Sequence, residues 1–230
     1  MVEAQGEWSE AHATGYSDDA GTGTGGACGY DDVFKHGYGL TTAALSTALF
    51  NNGYSCGSCF QLRCFNDPQW CSTKTITVTA TNFCPPSSDP NAKDGWCNPP
   101  LKHFDLSLPM FRSLVNNIAA GIIPVQYKRV PCSRQGGIKF EINGNDNFLL
   151  VLVYNVGGVG DLKAVSVKGS KSGWTTMGKN WGANWSANAN LRGQSLSFSV
   201  TTSDGKTVLS QDVAPQNWEF GMSYEGKQIT

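Results

Sequence analysis

The segment His103-Phe104-Asp105-Leu106-Ser107 sets one carboxyl group between two apolar side chains. Such neighbours keep water from it, and desolvation disfavours the charged form of an acid, raising its pKa. A carboxyl group tuned in this way stays neutral at mildly acidic pH and can lend a proton. The competing reading is structural, because carboxylates in purely structural settings also have shifted pKa values. On that reading Asp105 only helps to start a helix. Ser107 is a natural N-cap, Pro109 suits the first turn and Gly121 a stop, with Met110, Phe111, Leu114 and Ile118 as the buried stripe.

Eight cysteines form the second chemical feature: Cys28, Cys56, Cys59, Cys64, Cys71, Cys84, Cys97 and Cys132. An even number, confined to the first part of the chain, reads as a disulfide framework made in an oxidising compartment. Zinc is the alternative, since Cys56-Gly57-Ser58-Cys59 has finger-like spacing. No second knuckle follows it, and His12, His36 and His103 stand far from it in sequence, so no metal is expected. Four bridges at about 2–4 kcal/mol each would largely decide whether this half folds. Disulfides imply secretion. The acidic start Met1-Val2-Glu3-Ala4-Gln5 has no apolar core of a signal peptide and reads as the edge of a mature chain.

Composition limits the rest. A chain of 230 residues suits one large domain or two of ordinary size. Its formal net charge of −1 supplies no field to attract nucleic acid or an anionic membrane. No apolar run reaches the roughly 20 residues that span a bilayer. Nothing suggests an organic cofactor or an obligate oligomer, and the reading is a monomer.

The elements that must position these groups are mostly strands. Thr41 to Phe50 reads as one short helix ending near Asn52-Gly53. Cys59 to Cys64 alternates like a strand, and so does Thr75 to Thr81, with Ile76, Val78 and Ala80 on one face and Thr79 and Thr81 on a polar one. Ile122 to Val130 returns as a strand. Ser133-Arg134-Gln135-Gly136-Gly137 is polar and glycine-rich, so the expected domains are residues 8–133 and 138–230. The second is all-β: Ile138, Phe140 and Ile142 alternate before the hairpin signal Asn143-Gly144, and Leu196, Phe198 and Val200 alternate before Asp204-Gly205. Short strands at this spacing predict a β-sandwich. The two halves share no internal repeat.

Several stretches together resemble the plant α-expansins. They are His12-Ala13-Thr14, Gly25-Gly26-Ala27-Cys28-Gly29-Tyr30, Thr81-Asn82-Phe83-Cys84-Pro85-Pro86, His103-Phe104-Asp105, Val130-Pro131-Cys132, Asn155-Val156-Gly157-Gly158 and Trp181-Gly182-Ala183-Asn184-Trp185. The resemblance runs from about His12 to about Gly226. It implies a six-stranded double-psi β-barrel with short helices, followed by an immunoglobulin-like sandwich, with one polysaccharide groove along both. It implies the pairs Cys28–Cys56, Cys59–Cys132, Cys64–Cys71 and Cys84–Cys97. It also implies a secreted wall protein, at most peripherally associated with a membrane. Such a protein binds cellulose or xyloglucan and loosens the wall without hydrolysis, best in mild acid.

The first domain is also similar to family 45 glycoside hydrolases, in which the Asp of the His-Phe-Asp segment is the general acid. Asp105 stands at that position. An inverting hydrolase needs a second carboxylate about 6.5–9.5 Å away. Thr14-Gly15-Tyr16-Ser17-Asp18 matches the spacing of the hydrolases' Thr-x-Tyr-x-Asp motif, which offers Asp18 as a base. The bland alternative makes Asp18 and Asp19 solvated turn residues. Gly15 replaces the aromatic residue usual in α-expansins, and Asn82 stands where related proteins carry a groove acid. Thr14, Tyr16, Asn82 and His103 are the expected sugar contacts around Asp105.

In the second domain the resemblance implies a flat aromatic platform, assigned to Trp181 and Trp185 with Tyr154, because flat rings bury the apolar faces of sugars. Trp174 and Trp218 are expected to be core. Asn184-Trp185-Ser186 is a glycosylation sequon, and a glycan on Asn184 would compete with use of Trp185. Two further readings stand beside wall loosening: a family 45-like β-1,4-endoglucanase using Asp105 and Asp18, and a barwin-like polysaccharide-binding defence protein.

Overall fold

The computed structural model describes residues 6–18, 20–89 and 95–229. Its contacts divide the chain after Val130 into two compact units.

The first unit is a closed barrel of β1 (Ser9–Tyr16), β2 (Thr42–Leu45), β3 (Cys59–Cys64), β4 (Thr75–Phe83), β5 (His103–Ser107) and β6 (Ile122–Val130), in the order β1-β5-β2-β4-β3-β6. Two short helices accompany it, α1 (Thr47–Phe50) and α2 (Leu108–Leu114). The strand period of two builds the interior. Ala11 and Ala13 of β1, Ala43 and Leu45 of β2, Phe60 and Leu62 of β3, Ile76, Val78 and Ala80 of β4, Phe104 and Leu106 of β5, and Ile123, Val125 and Tyr127 of β6 share one core. Phe104 lies at its centre, 5.3 Å from the ring of Phe60 and 5.0 Å from that of Tyr127. Phe111 and Leu114 of α2 close the core.

Three sequence expectations change here. Residues 42–45 are a strand, not the start of a helix, because they are buried along their whole length between β4 and β5. Only Thr47–Phe50 turns helically. The helix after Ser107 stops at Leu114, where Val115 is extended, so Ile118 leaves the expected stripe and is 47% exposed. Thr79 and Thr81 are buried, and the Thr81 hydroxyl donates to the Thr24 carbonyl at 2.5 Å.

Three disulfides cross the first unit: Cys28–Cys56, Cys64–Cys71 and Cys84–Cys97. Cys59 and Cys132 are disulfide-bonded as well, in keeping with the fourth implied pair, and no cysteine is free. The zinc alternative for Cys56 and Cys59 therefore falls away.

The second unit holds eight strands: β7 (Lys139–Asn145), β8 (Phe148–Tyr154), β9 (Leu162–Gly169), β10 (Trp174–Lys179), β11 (Asn184–Ala187), β12 (Leu196–Thr202), β13 (Thr207–Ala214) and β14 (Met222–Glu225). They follow the order β13-β12-β9-β10-β11-β8-β7-β14. Strand β10 is the fold line, because its Trp174–Met177 part pairs with β9 and Gly178–Lys179 with β11. The two layers so formed enclose one apolar core, in which Phe140 of β7 stacks on Phe198 of β12 at 4.2 Å. The fold is the expected all-β barrel followed by a β-sandwich.

Candidate functional site

On β1, the inward Ala11 and Ala13 leave His12, Thr14 and Tyr16 on the opposite face. On β5, inward Phe104 and Leu106 do the same for His103, Asp105 and Ser107. The two strands run parallel with His12 beside His103 and Thr14 beside Asp105. That register brings together groups some ninety residues apart. The Thr14 hydroxyl donates to Oδ1 of Asp105 at 2.7 Å and lies 2.9 Å from Nε2 of His103.

Electrostatics follow from burial. Desolvation pushes the Asp105 carboxyl above its ordinary value, and the bond from Thr14 partly opposes the shift. Burial, with a smaller contribution from the charge of His12, pulls His103 down to about 4, so its ring is neutral at mildly acidic pH. Tyr16 is pushed up to about 12 by burial, against a hydrogen bond from Asn82, with a further rise from the nearby Asp105 charge.

Other expected members of the site do different work. His103 is 1% exposed, so it backs the site and does not face a sugar. Asn82 is a clasp: its Oδ1 accepts from the backbone N–H of Ala27 and Phe83, and its Nδ2 donates to the Gly23 carbonyl at 2.8 Å. A longer contact of 3.5 Å reaches the Tyr16 hydroxyl. With both ends engaged by the chain, the Asn82 amide is not free for a ligand. A Cβ on Gly15 would stand 3.0 Å from the buried ring of Phe111, so a larger residue there needs that ring to give way.

Asp18 is held by its own turn. Its Oδ1 accepts from the N–H of Ala20 and Thr22, and its Oδ2 from the Thr22 hydroxyl. These bonds, those from Thr22 first, hold its pKa below the ordinary value in an exposed turn. A base that must collect a proton near neutral pH needs the reverse shift. Asp19 lies outside the described residues.

The platform assignment changes as well. Trp181 is 50% exposed on the turn after β10. Trp185 is 3% exposed and belongs to the sandwich core, because β11 carries it inward beside Ala187. Tyr154 is buried at the end of β8. Trp174, expected in the core, is 46% exposed at the start of β10, whereas Trp218 is buried as expected. Residue spacing could not separate these rings, since a sandwich buries some tryptophans and displays others. Asn184 is 3% exposed within β11, so the folded sandwich does not present its amide to a glycan-transferring enzyme.

A pocket of about 390 Å³ lies further along β1, lined by Glu10, His12, Phe65, Leu101, Lys102 and Pro124 among others. His12 there packs against Trp96 with ring centroids 4.9 Å apart. Among the described residues no group of His, Cys, Asp or Glu is arranged to hold a metal ion, and no helix is long and apolar enough to cross a membrane.

A double-psi barrel carrying one half-buried acid, joined to a β-sandwich, defines a class of two-unit proteins that comparison with known chains makes specific. An expansin C-terminal domain model matches residues 138–215, and a lytic transglycolase model matches residues 42–127. Expansin-A25 of Arabidopsis thaliana is 59% identical over 96% of this chain and 79% of its own length. Expansin-A23 of the same plant is 58% identical over 96% of this chain and 80% of its own. Expansin-A10 of Oryza sativa subsp. japonica is 48% identical over 97% and 87%. The chain belongs to the expansin family. Among solved structures, an apo expansin of Clavibacter michiganensis shares the fold with a TM-score of 0.71 at 20% identity, covering 96% of this chain and 98% of that one. A variant of that protein solved with cellohexaose has a TM-score of 0.70 at 18% identity, with the same coverage.

Proposed function

We propose that this chain is a secreted wall protein that binds β-1,4-glucan, cellulose or xyloglucan, and weakens non-covalent contacts between chains without cutting them. The observation that carries the reading is Asp105: a half-buried acid, raised by burial, whose Oδ1 is held by Thr14 while no described residue bonds its Oδ2. The candidate base, Asp18, is unsuited to that work, and the position where related proteins carry a groove acid holds no carboxylate. Asp18 is tied into its own turn, and Asn82 is an amide. Without a base to activate water, an acid can hold a glucan but does not hydrolyse it by the inverting route.

The action is then a matter of differential binding. A surface that holds a separated or twisted glucan better than a packed one shifts the balance towards separated chains. On the barrel, Asp105, Thr14 and Tyr16 supply hydrogen bonds to hydroxyl groups. On the sandwich, the exposed Trp181 supplies an apolar face, with Trp174 a second candidate. Protonated Asp105 can donate from Oδ2, so loosening should be strongest in acid and fade as pH rises through the raised pKa. The 48–59% identity to expansins of two plants supports this reading.

The deciding experiment measures reducing ends released from soluble and amorphous β-1,4-glucans, alongside acid-induced creep of wall strips. Wild type, Asp105→Asn and Asp18→Asn are compared. Creep without release, lost in Asp105→Asn and kept in Asp18→Asn, is the expected result. Release that disappears in both variants would make the chain an endoglucanase and overturn the proposal.

A further inference from the structure

The Thr14 hydroxyl has one proton and two close neighbours, Oδ1 of Asp105 at 2.7 Å and Nε2 of His103 at 2.9 Å. It can donate to only one of them. If it donates to Asp105, His103 must offer Nε2–H, which leaves Nδ1 without a proton. If it turns to His103, the ring proton must move to Nδ1. That atom is buried and has no hydrogen-bond partner. A buried N–H with nothing to accept it is the rarer and costlier orphan. A donation to a carboxylate is also about twice as strong as one between neutral groups. Both effects favour the order Nε2–H to Thr14 Oγ1, then Thr14 O–H to Asp105 Oδ1.

We infer that His103 is a positioning residue that locks the Thr14 hydroxyl as a donor to Oδ1, so that Asp105 carries its acid proton on Oδ2. Placing the proton on Oδ1 would force Thr14 to accept it, reverse the chain and strand an N–H in the buried pocket. Placing it on Oδ2 disturbs nothing. Oδ2 is the oxygen that no described residue bonds, and so the one left for a ligand hydroxyl. The neutral ring persists in mild acid because burial opposes the imidazolium form.

Among the described residues, the ionisable groups around the pair are few. From β1 come Tyr16 and His12, the latter packed at a tilt against Trp96. The neighbouring strand β2 brings none, α2 only the exposed Arg112, and Lys102 before β5 lies over Tyr127.

The inference rests on the proposed role of Asp105 as the acid of the site, but its test needs no wall material. Full-length protein labelled with ¹⁵N at histidine and ¹³C at the aspartate carboxyl is titrated by NMR. The expected spectrum shows His103 as the Nε2–H form, with Nδ1 bare, from about pH 7 to about pH 5. His103→Leu should raise the Asp105 pKa by up to about one unit, since it loosens a bond that favours the charged form. His103→Gln, whose amide N–H falls near the Nε2 position, should restore most of it. In a Thr14→Val background His103→Leu should add little. An Nδ1–H or imidazolium ring at about pH 5 would overturn the inference. So would a His103→Leu shift of equal size with and without the Thr14 hydroxyl, which is what a mere packing residue would produce. If His103→Leu does not fold, the wild-type ring spectrum decides alone. A normal result here beside absent creep would refute the proposed function and leave the hydrogen-bond order standing.

Discussion

Asn82→Asp is the substitution that would install a second acid near Asp105, and the structure says what it should cost. The Asn82 amide fits its surroundings in one orientation only, with Oδ1 taking two N–H groups and Nδ2 facing the Gly23 carbonyl at 2.8 Å. An ionised carboxylate in its place sets oxygen against oxygen at that last contact. Losing a donor and leaving a carbonyl unpaired costs about 1–3 kcal/mol, and stronger bonds to the charged Oδ1 offset part of it. A net loss of about 1–2 kcal/mol, with a urea m value of about 2 kcal/mol per molar, lowers the unfolding midpoint by about 0.5–1 M. The sign with pH follows from the same contact. Because the carbonyl repels the charged form, the folded pKa of the introduced carboxyl lies above its unfolded value. Stability is then retained below the unfolded pKa and lost as pH rises through the folded one. Urea titrations with disulfides intact should show a clear penalty at about pH 7.5 that shrinks towards about pH 4. Asn82→Ala, which cannot titrate at that position, should show a penalty that does not vary with pH. Equal penalties for Asn82→Asp at both ends, or none at the neutral end, would refute the clasp.

The remaining predictions concern single contacts. Trp181→Ala should leave stability within about 0.5 kcal/mol of wild type and weaken retention on cellulose, whereas Trp185→Ala should cost about 3–5 kcal/mol in thermal or urea unfolding. Gly15→Ala should cost about 1–3 kcal/mol by crowding Phe111, measured the same way, and a neutral result would mean that α2 shifts freely. The Asp105 pKa is raised in the fold, so its stabilising contribution is complete below the unfolded pKa and lost as pH rises through the folded one. Asp105→Asn should therefore match wild type in acid and exceed it on the neutral side, read from unfolding midpoints across pH.

Local chemistry was legible in the chain as written. Alternation of apolar residues marked Thr75 to Thr81 and Leu196 to Val200 as strand, within the observed Thr75–Phe83 and Leu196–Thr202, because side chains of a strand point to opposite faces in turn. The cysteine count declared a disulfide framework, but Phe104 and Leu106 face the barrel core on the side of β5 opposite Asp105, so the burial of that carboxyl comes from the tertiary structure and not from its sequence neighbours. Residues 42–45 misled, because Thr-Ala-Ala-Leu carries no β-branched pattern and becomes a strand only through its place between β4 and β5. The partners of Asp105 were decided by tertiary structure. Thr14 meets Asp105 and His103 only through the parallel register of β1 with β5, a pairing between residues about ninety apart that no local pattern encodes. Whether Trp181 or Trp185 reaches solvent was likewise open, since both rings suit either side of a sheet. One sits on a turn, and the other points from β11 into the core.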